Sequence, residues 1–250
     1  NMQRSYMVHT AVALLALHHG EITSMHAALS DARMDVMGAL SAASMESYDQ
    51  AYPMLLKLHS LHEIEESVAL HTCSSVTEQL RHVKTTCRWE QRVRTTRPVV
   101  REQEPMLAIR RAVYSMHPSN AHFQELESQD WIHLATISSG DGDYNMAARC
   151  ITHAKLLNDP RATIEQAKLY KQRNELHRAF MILEEESGNI RRLSSGRQTR
   201  GDGGGGGNGE SLEDASLRID AAERILLKAD WTLEGGLSAS GDLVVDYNSA

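Results

Sequence analysis

The sequence predicts an all-α fold of paired helices, and three observations carry that prediction. Nearly everything before residue 190 has helical periodicity, and alternation of β-branched and aromatic residues is missing apart from the very short Leu243–Val245. Thirteen His, eleven Met and only two Phe suit a helical interior built from aliphatic side chains and Met. A large residue followed three positions later by Ala recurs after short polar turns: Tyr48-x-x-Ala51, Tyr144-x-x-Ala147 and Leu176-x-x-Ala179. The last two lie 32 residues apart, near the ~34-residue period of tetratricopeptide-type hairpins. In such hairpins the large residue fills the space between two helices and the Ala lets their backbones approach. The expected architecture is an α-solenoid of tetratricopeptide-like helical hairpins with a disordered Gly-rich insert.

The elements follow in order. Val12 to Leu17, VALLAL, is the longest strongly apolar stretch and is expected to be buried helix. It has no basic n-region or cleavage site of a signal peptide. Tyr48 and Ala51 open a helix after Glu46-Ser47. Arg101 to His117 reads as one punctuated helix. Glu102 and Glu104 sit where the dipole is positive, Pro105 suits the first helical position, and Pro118 prevents continuation. Met106, Ile109, Val113 and Met116 form one apolar stripe, with Arg110 and Arg111 off it.

Trp131, Leu134 and Ala135 lie on the helix before the turn Gly140–Asp143, with Tyr144 and Ala147 after it. Asp159-Pro160 breaks the chain before a helix from Ala162 to Tyr170. Residues 188–211 contain GDGGGGGNG and almost no apolar side chains, so they are expected to form a flexible insert between helical segments 1–187 and 212–250. The last segment is expected to be helical from Leu212 to about Leu233, with Leu217, Ala221, Ile225 and Leu226 on one face.

A chain of 250 residues is long enough for a sizeable core. A net charge of −7 and a pI near 6.0 argue against general nucleic-acid binding. Charge is uneven, because Glu78 to Arg111 holds nine Lys/Arg against four Glu. A solvated helix face is the expected reading of that excess. Three cysteines, none in a C-x-x-C pair, fit a reduced, intracellular compartment. No apolar run reaches the ~18 residues of a membrane span, so a soluble chain without membrane contact is expected. Beginning at Asn1 and ending at Ala250 without evident terminal signals, the chain is expected to be a piece of a longer protein.

Candidate chemical sites are weak. The glycine run lacks the strand and Gly-Lys-Ser/Thr of a phosphate loop. Asp141-x-Asp143-x-Asn145 opens like an EF-hand loop, but Met146 and Thr152 stand where Gly and the bidentate Glu belong. His59 and His62 share a helix face without supporting carboxylate spacing. No catalytic, metal-binding or cofactor-binding residues are expected.

Three blocks carry a family resemblance. One is Leu40-Ser-Ala-Ala-Ser44 with Ser47-Tyr48, Ala51-Tyr52, Lys57-Leu58-His59 and His62-Glu63-Ile64-Glu65. The second is Arg101, Glu104-Pro105, Leu107-Ala108 and Arg110-Arg111-Ala112. The third is Trp131, Leu134-Ala135, Tyr144-x-x-Ala147, Ala154, Glu165-x-Ala167-Lys168-Leu169 and His177-x-Ala179. In this order they resemble the FAT region of the phosphatidylinositol-3-kinase-related protein kinases, and most closely its checkpoint branch.

The resemblance implies a nuclear, non-catalytic scaffold that supports and regulates a C-terminal serine/threonine kinase domain. ATP and Mg are expected only in that kinase domain. Implied partners are that domain, neighbouring helical repeats, a second copy in a homodimer, and a subunit that recruits the kinase to single-stranded DNA. Tyr48, Ala51, Pro105, Leu107, Trp131, Tyr144, Ala147 and Ala179 are expected to pack the scaffold. Arg110 and Arg111 are the candidates for contact with another part of the kinase. The competing reading is a free-standing tetratricopeptide-like adaptor, for which groove-lining Asn, Lys or Arg in a repeated register is missing.

Overall fold

The computed structural model describes residues 2–44, 47–73, 75–185 and 224–231. It divides into two compact units, Asn1–Asp143 and Tyr144–Ala250. The division falls within the stretch expected as one helical segment, 1–187. Residues 188–211, the expected insert, lie outside the described residues, as does most of 212–250.

In the first unit α1 (Met2–His18), α2 (Ile22–Ser44) and α3 (Tyr48–Thr72) pack in sequence. Small residues line the first seam: Ala13, Ala16, Ala28 and Ala32 are all buried, with Leu17, Met25 and Leu29 filling the space around them. Close backbone approach is what these alanines permit, and Met25 supplies adaptable volume. VALLAL is helical as expected, but only one side of it is covered, since Val12 and Leu15 remain exposed.

Past α3 the chain is irregular. Short α4 (Val76–Arg81) runs into a π-helical turn (His82–Cys87), and Arg88 with φ of 51° then starts α5 (Trp89–Thr95). Helix α6 (Val100–Ser115) packs on α3 and on α7 (Ala121–Gly140). Val83, Cys87, Trp89, Ile109, Val113, Tyr114 and Phe123 extend the same core as the α1–α3 residues.

Pro105 does not start its helix. Helix α6 begins five residues earlier, where the Val99 carbonyl accepts from the amides of Glu102 (3.0 Å) and Gln103 (3.1 Å). A proline inside a helix leaves the carbonyl four residues back, that of Arg101, without its usual partner. Pro105 and Arg101 are both exposed, so water can serve that carbonyl. Pro53 occupies the equivalent sixth position of α3.

The second unit holds α8 (Tyr144–Leu156), α9 (Arg161–Gln172) and helical residues 176–185 and 224–231. Its turns repeat one device. Asn158 (φ 58°) and Asn174 (φ 60°) adopt the left-handed conformation just after their helices. The next amide then reaches back: Asp159 to the Ala154 carbonyl (3.2 Å), and Glu175 to that of Tyr170 (2.8 Å). This is the Schellman cap, which satisfies orphan carbonyls and reverses the chain. In the first unit Gly20 and Gly142 close α1 and α7 in the same way.

The acidic Gly140–Asp143 segment is therefore a helix-ending turn. Gly142, Asn158 and Asn174 stand sixteen residues apart, which gives the hairpins a regular step. Just before α9 the Asp159 carboxylate accepts from the Arg161 amide at 2.9 Å.

All three large-x-x-Ala motifs begin their helices, at Tyr48, Tyr144 and residue 176. The alanines Ala51, Ala147 and Ala179 are buried. The large residues differ: Tyr144 and Leu176 are half-buried, whereas Tyr48 is 65% exposed and leans on Tyr52. Tyr48 thus does not fill an inter-helix gap, although the same end of α3 engages Arg97 through Asp49 and Tyr52. In residues 224–231 the packed side chains are Leu227 and Trp231, against Ala179, Phe180 and Leu183, while Leu226 of the expected face is exposed.

Candidate functional site

The densest polar structure in the chain lies where α3, α5, α6 and α7 meet. Helix α3 buries Ser60, Leu61, Glu63, Ile64, Ser67 and Leu70. The three-to-four spacing of that stripe places Glu63 inside with no solvent contact. A buried carboxylate requires compensation, and two arginines supply it. Arg110 of α6, 2% exposed, donates from Nε to Glu63 Oε2 (2.7 Å) and from Nη2 to Glu63 Oε1 (2.6 Å). Its Nη2 also donates to the Trp89 carbonyl at 2.8 Å.

Arg92 of α5 donates to Glu63 Oε1 (2.9 Å) and to both oxygens of Glu66 (3.0 and 3.3 Å). The Trp89 indole N–H donates to Glu66 Oε2 at 2.9 Å. Two carboxylates, two guanidiniums and one indole thus lock three helices in a single register. Burial pulls the Arg110 pKa down, but the bonds and charge of Glu63 outweigh it and the net direction is upward. The same balance raises Arg92, through Glu66 and Glu63.

A second layer surrounds this pair of ion pairs. Gln103, buried near the start of α6, donates to the carbonyls of Val93 and Thr96 (both 3.2 Å) and so ties α6 to the end of α5. Its Oε1 lies 2.7 Å from His133 Nε2 on α7. Asp130 of α7 has a buried Oδ2 that accepts no hydrogen bond among the described residues. Burial pushes its carboxyl up to about 7, against the pull of nearby Arg110 and Arg111. Arg111 stacks on the Trp131 ring at 3.8 Å from its centroid and pairs with Glu104 at 3.5 Å.

Arg110 and Arg111, expected at a contact with another part of the kinase, are thus turned inward and engaged within this chain. The helix that carries them is covered on more than its stripe. Besides Met106, Ile109 and Val113, it buries Gln103, Leu107, Arg110, Arg111 and Tyr114. Leu107 is buried, while Trp131 is partly buried beneath Arg111.

Sequence reasoning did not assign roles to Glu63, Glu66, Trp89, Arg92, Gln103 or Asp130. The one available signal was Glu63 itself, a carboxylate in the buried register of an otherwise apolar stripe. His59 and His62 do not come together on a ligand. His62 lies 3.5 and 3.2 Å from Glu65 and Glu66, and burial, with Arg92, lowers the His59 pKa. Among the described residues no three His, Cys, Asp or Glu side chains are grouped to hold a metal ion. No described helix is long and apolar enough to cross a membrane.

This arrangement can hold helices rigidly together; it presents no reacting group beside a base. Comparison with known proteins agrees with the sequence resemblance. The chain is 34% identical over 146 residues to the serine/threonine-protein kinase ATR of Oryza sativa subsp. indica, covering 56% of this chain and 5% of that protein. It is 33% identical over 141 residues to ATR of Arabidopsis thaliana, covering 54% of the chain and 5% of the relative. With ATR of Drosophila melanogaster the identity is 24% over 202 residues, 70% of the chain and 8% of the relative. The chain therefore spans about a twentieth of the length of the plant relatives it matches. The family model of the FAT domain matches residues 3–234, and the chain belongs to the FAT domain family.

Proposed function

We propose that this chain is the non-catalytic scaffold segment of an ATR-like serine/threonine protein kinase of the DNA-damage checkpoint. Its helices support the C-terminal kinase domain and transmit to it the state of bound partners. The observation that carries this reading is the FAT match over residues 3–234, taken with ATR relatives many times longer than the chain. The locked junction of α3, α5, α6 and α7 supports it physically, since a scaffold that transmits force or position needs elements that do not slide. ATP and Mg belong to the kinase domain outside this chain. A nuclear location, a homodimer and a recruiting partner subunit of the ATR-interacting kind complete the proposal.

The reading makes a direct prediction about the gene and its product. The open reading frame continues past Ala250 into a kinase domain. The full-length protein, immunopurified, phosphorylates peptides containing Ser-Gln or Thr-Gln, and deleting residues 3–234 lowers that activity to the basal rate of the isolated kinase domain without loss of expression. A reading frame lacking a kinase domain, or a deletion protein of undiminished activity, contradicts it.

A further inference from the structure

The nine cations from Arg81 to Arg111 do not form one solvated face. Five are engaged inside the chain: Arg92 and Arg110 with Glu63 and Glu66, Arg94 with Glu90, Arg97 with Asp49, and Arg111 with Glu104. Four are exposed and have no carboxylate partner among the described residues: Arg81, Lys84, Arg88 and Arg101. Three of these share one short segment, the π-helical turn and its two flanks, at spacings of three and four residues. All three are exposed and lie within eight residues of one another along the chain.

The segment is built to hold them. Val83 and Cys87, four residues apart, are buried in the main core and pin the turn from below. Burial pushes the Cys87 thiol up to about 12, which marks it as an anchor rather than a nucleophile. The π-helical widening and left-handed Arg88 (φ 51°) both depart from ordinary helix geometry. Such departures are costly and concentrate at functional places. Arg88 Nε donates to the Thr85 carbonyl at 3.4 Å, which orients the guanidinium and leaves its outer N–H groups for an acceptor. Exposed Thr86 adds a hydroxyl between Lys84 and Arg88.

From this juxtaposition we infer that Arg81, Lys84 and Arg88 form a docking surface for an acidic peptide segment of a partner protein. Two guanidiniums suit carboxylates through paired N–H bonds, and a lysine adds an unoriented positive charge. A nucleic acid is the poorer fit. The track covers barely two helical turns before Glu90, and the chain carries a net charge of −7, which repels a long polyanion. A short peptide feels mainly charges within a screening length of about 8–10 Å, where these three cations dominate.

The test uses the purified 250-residue chain and a short fluorescein-labelled Glu/Asp-rich peptide, followed by anisotropy at low salt. A Gln/Asn peptide of the same length and a DNA duplex serve as comparison ligands. The acidic peptide should bind, weaken as salt rises, and lose about tenfold or more in affinity to the variant Arg81→Glu/Lys84→Glu/Arg88→Glu. All three positions are exposed, so the thermal melt of that variant should match wild type. Should the triple variant fail to fold, Lys84→Glu alone, which breaks no hydrogen bond, should still weaken binding about threefold. Arg94→Gln, at an exposed arginine already paired with Glu90, should leave affinity unchanged. Equal binding by wild type and the Lys84 variant, or equal affinity for the Gln/Asn peptide, overturns the inference. DNA bound more tightly than the peptide through the same residues overturns the assignment of the partner.

Discussion

Trp89 and Trp131 are the same residue type in very different surroundings. Trp89 is fully buried, bonded through its indole N–H to Glu66 and packed against Tyr114. Trp131 is partly exposed, with the Arg111 guanidinium over its face. Truncating Trp89 to Ala should cost about 3–5 kcal/mol through the cavity and the lost indole bond to Glu66. Trp131→Ala should cost only about 1–2 kcal/mol, the scale of a cation–π contact plus partial burial. Urea unfolding of the two variants checks the ranking; equal losses would mean the surroundings are misread. Sequence favoured Trp131 because a Trp before a hairpin turn is a recognisable local pattern. Trp89 had no such local signal, since its burial depends on helices distant in the chain.

Asp130 gives a pH dependence at the same scale. Its folded pKa of about 7 lies above the ordinary carboxylate value of 3.8. The folded state therefore holds the proton more tightly than the unfolded chain does. That contribution is complete below pH 3.8 and is lost as pH rises toward and through 7. Asp130→Asn removes the penalty, so its stability relative to wild type should grow by about 1–3 kcal/mol between pH 5 and pH 8. His71 and His117 act in the opposite sense. Burial and their neighbouring histidines lower both pKa values, so stability is lost as pH falls through about 6.5. Comparing Asp130→Asn with wild type cancels that background. A constant difference across the range would contradict the assignment to Asp130.

Helix α6 shows at the element scale what local pattern can and cannot reveal. Its apolar stripe, its acidic first turn and its stop before Pro118 were legible, because propensity and periodicity act within a few residues. Its start was misplaced to Pro105, because the true start depends on Val99 and on Gln103 reaching α5. Its arginines looked solvated because periodicity puts them off the apolar stripe; the partner of Arg110, Glu63, lies 47 positions away, and that of Arg111, Glu104, seven. The hairpin turns of the second unit were legible for the converse reason, since a left-handed Asn or Gly is chosen locally.

Two predictions belong to this scale. Glu63→Met alone strands Arg110 and should cost about 3–5 kcal/mol, whereas Glu63→Met with Arg110→Met should cost clearly less than the sum of the two single changes. Strict additivity in denaturant titrations would show that the pair is not coupled. Asn174→Val places a β-branched residue at φ 60° and should lose about 1–2 kcal/mol, while Asn174→Gly should be nearly neutral. Equal effects would deny the left-handed turn its role.

For the whole molecule, the helical-hairpin architecture follows from periodicity, the recurrent buried alanines and the sixteen-residue step of the turns. The FAT match over residues 3–234 places that architecture in the FAT domain family. At the ion-pair junction Glu63 and Glu66 of α3 hold Arg92 of α5 and Arg110 of α6, which ties three helices of the first unit together. The decisive measurement is the Ser/Thr-Gln peptide kinase activity of the full-length protein carrying Glu63→Met, assayed beside its isolated kinase domain. The account predicts that the full-length variant loses activity and control by partners as the junction loosens, while the isolated domain retains its own basal rate. Unchanged, normally regulated activity in a variant whose FAT helices have demonstrably melted would contradict it.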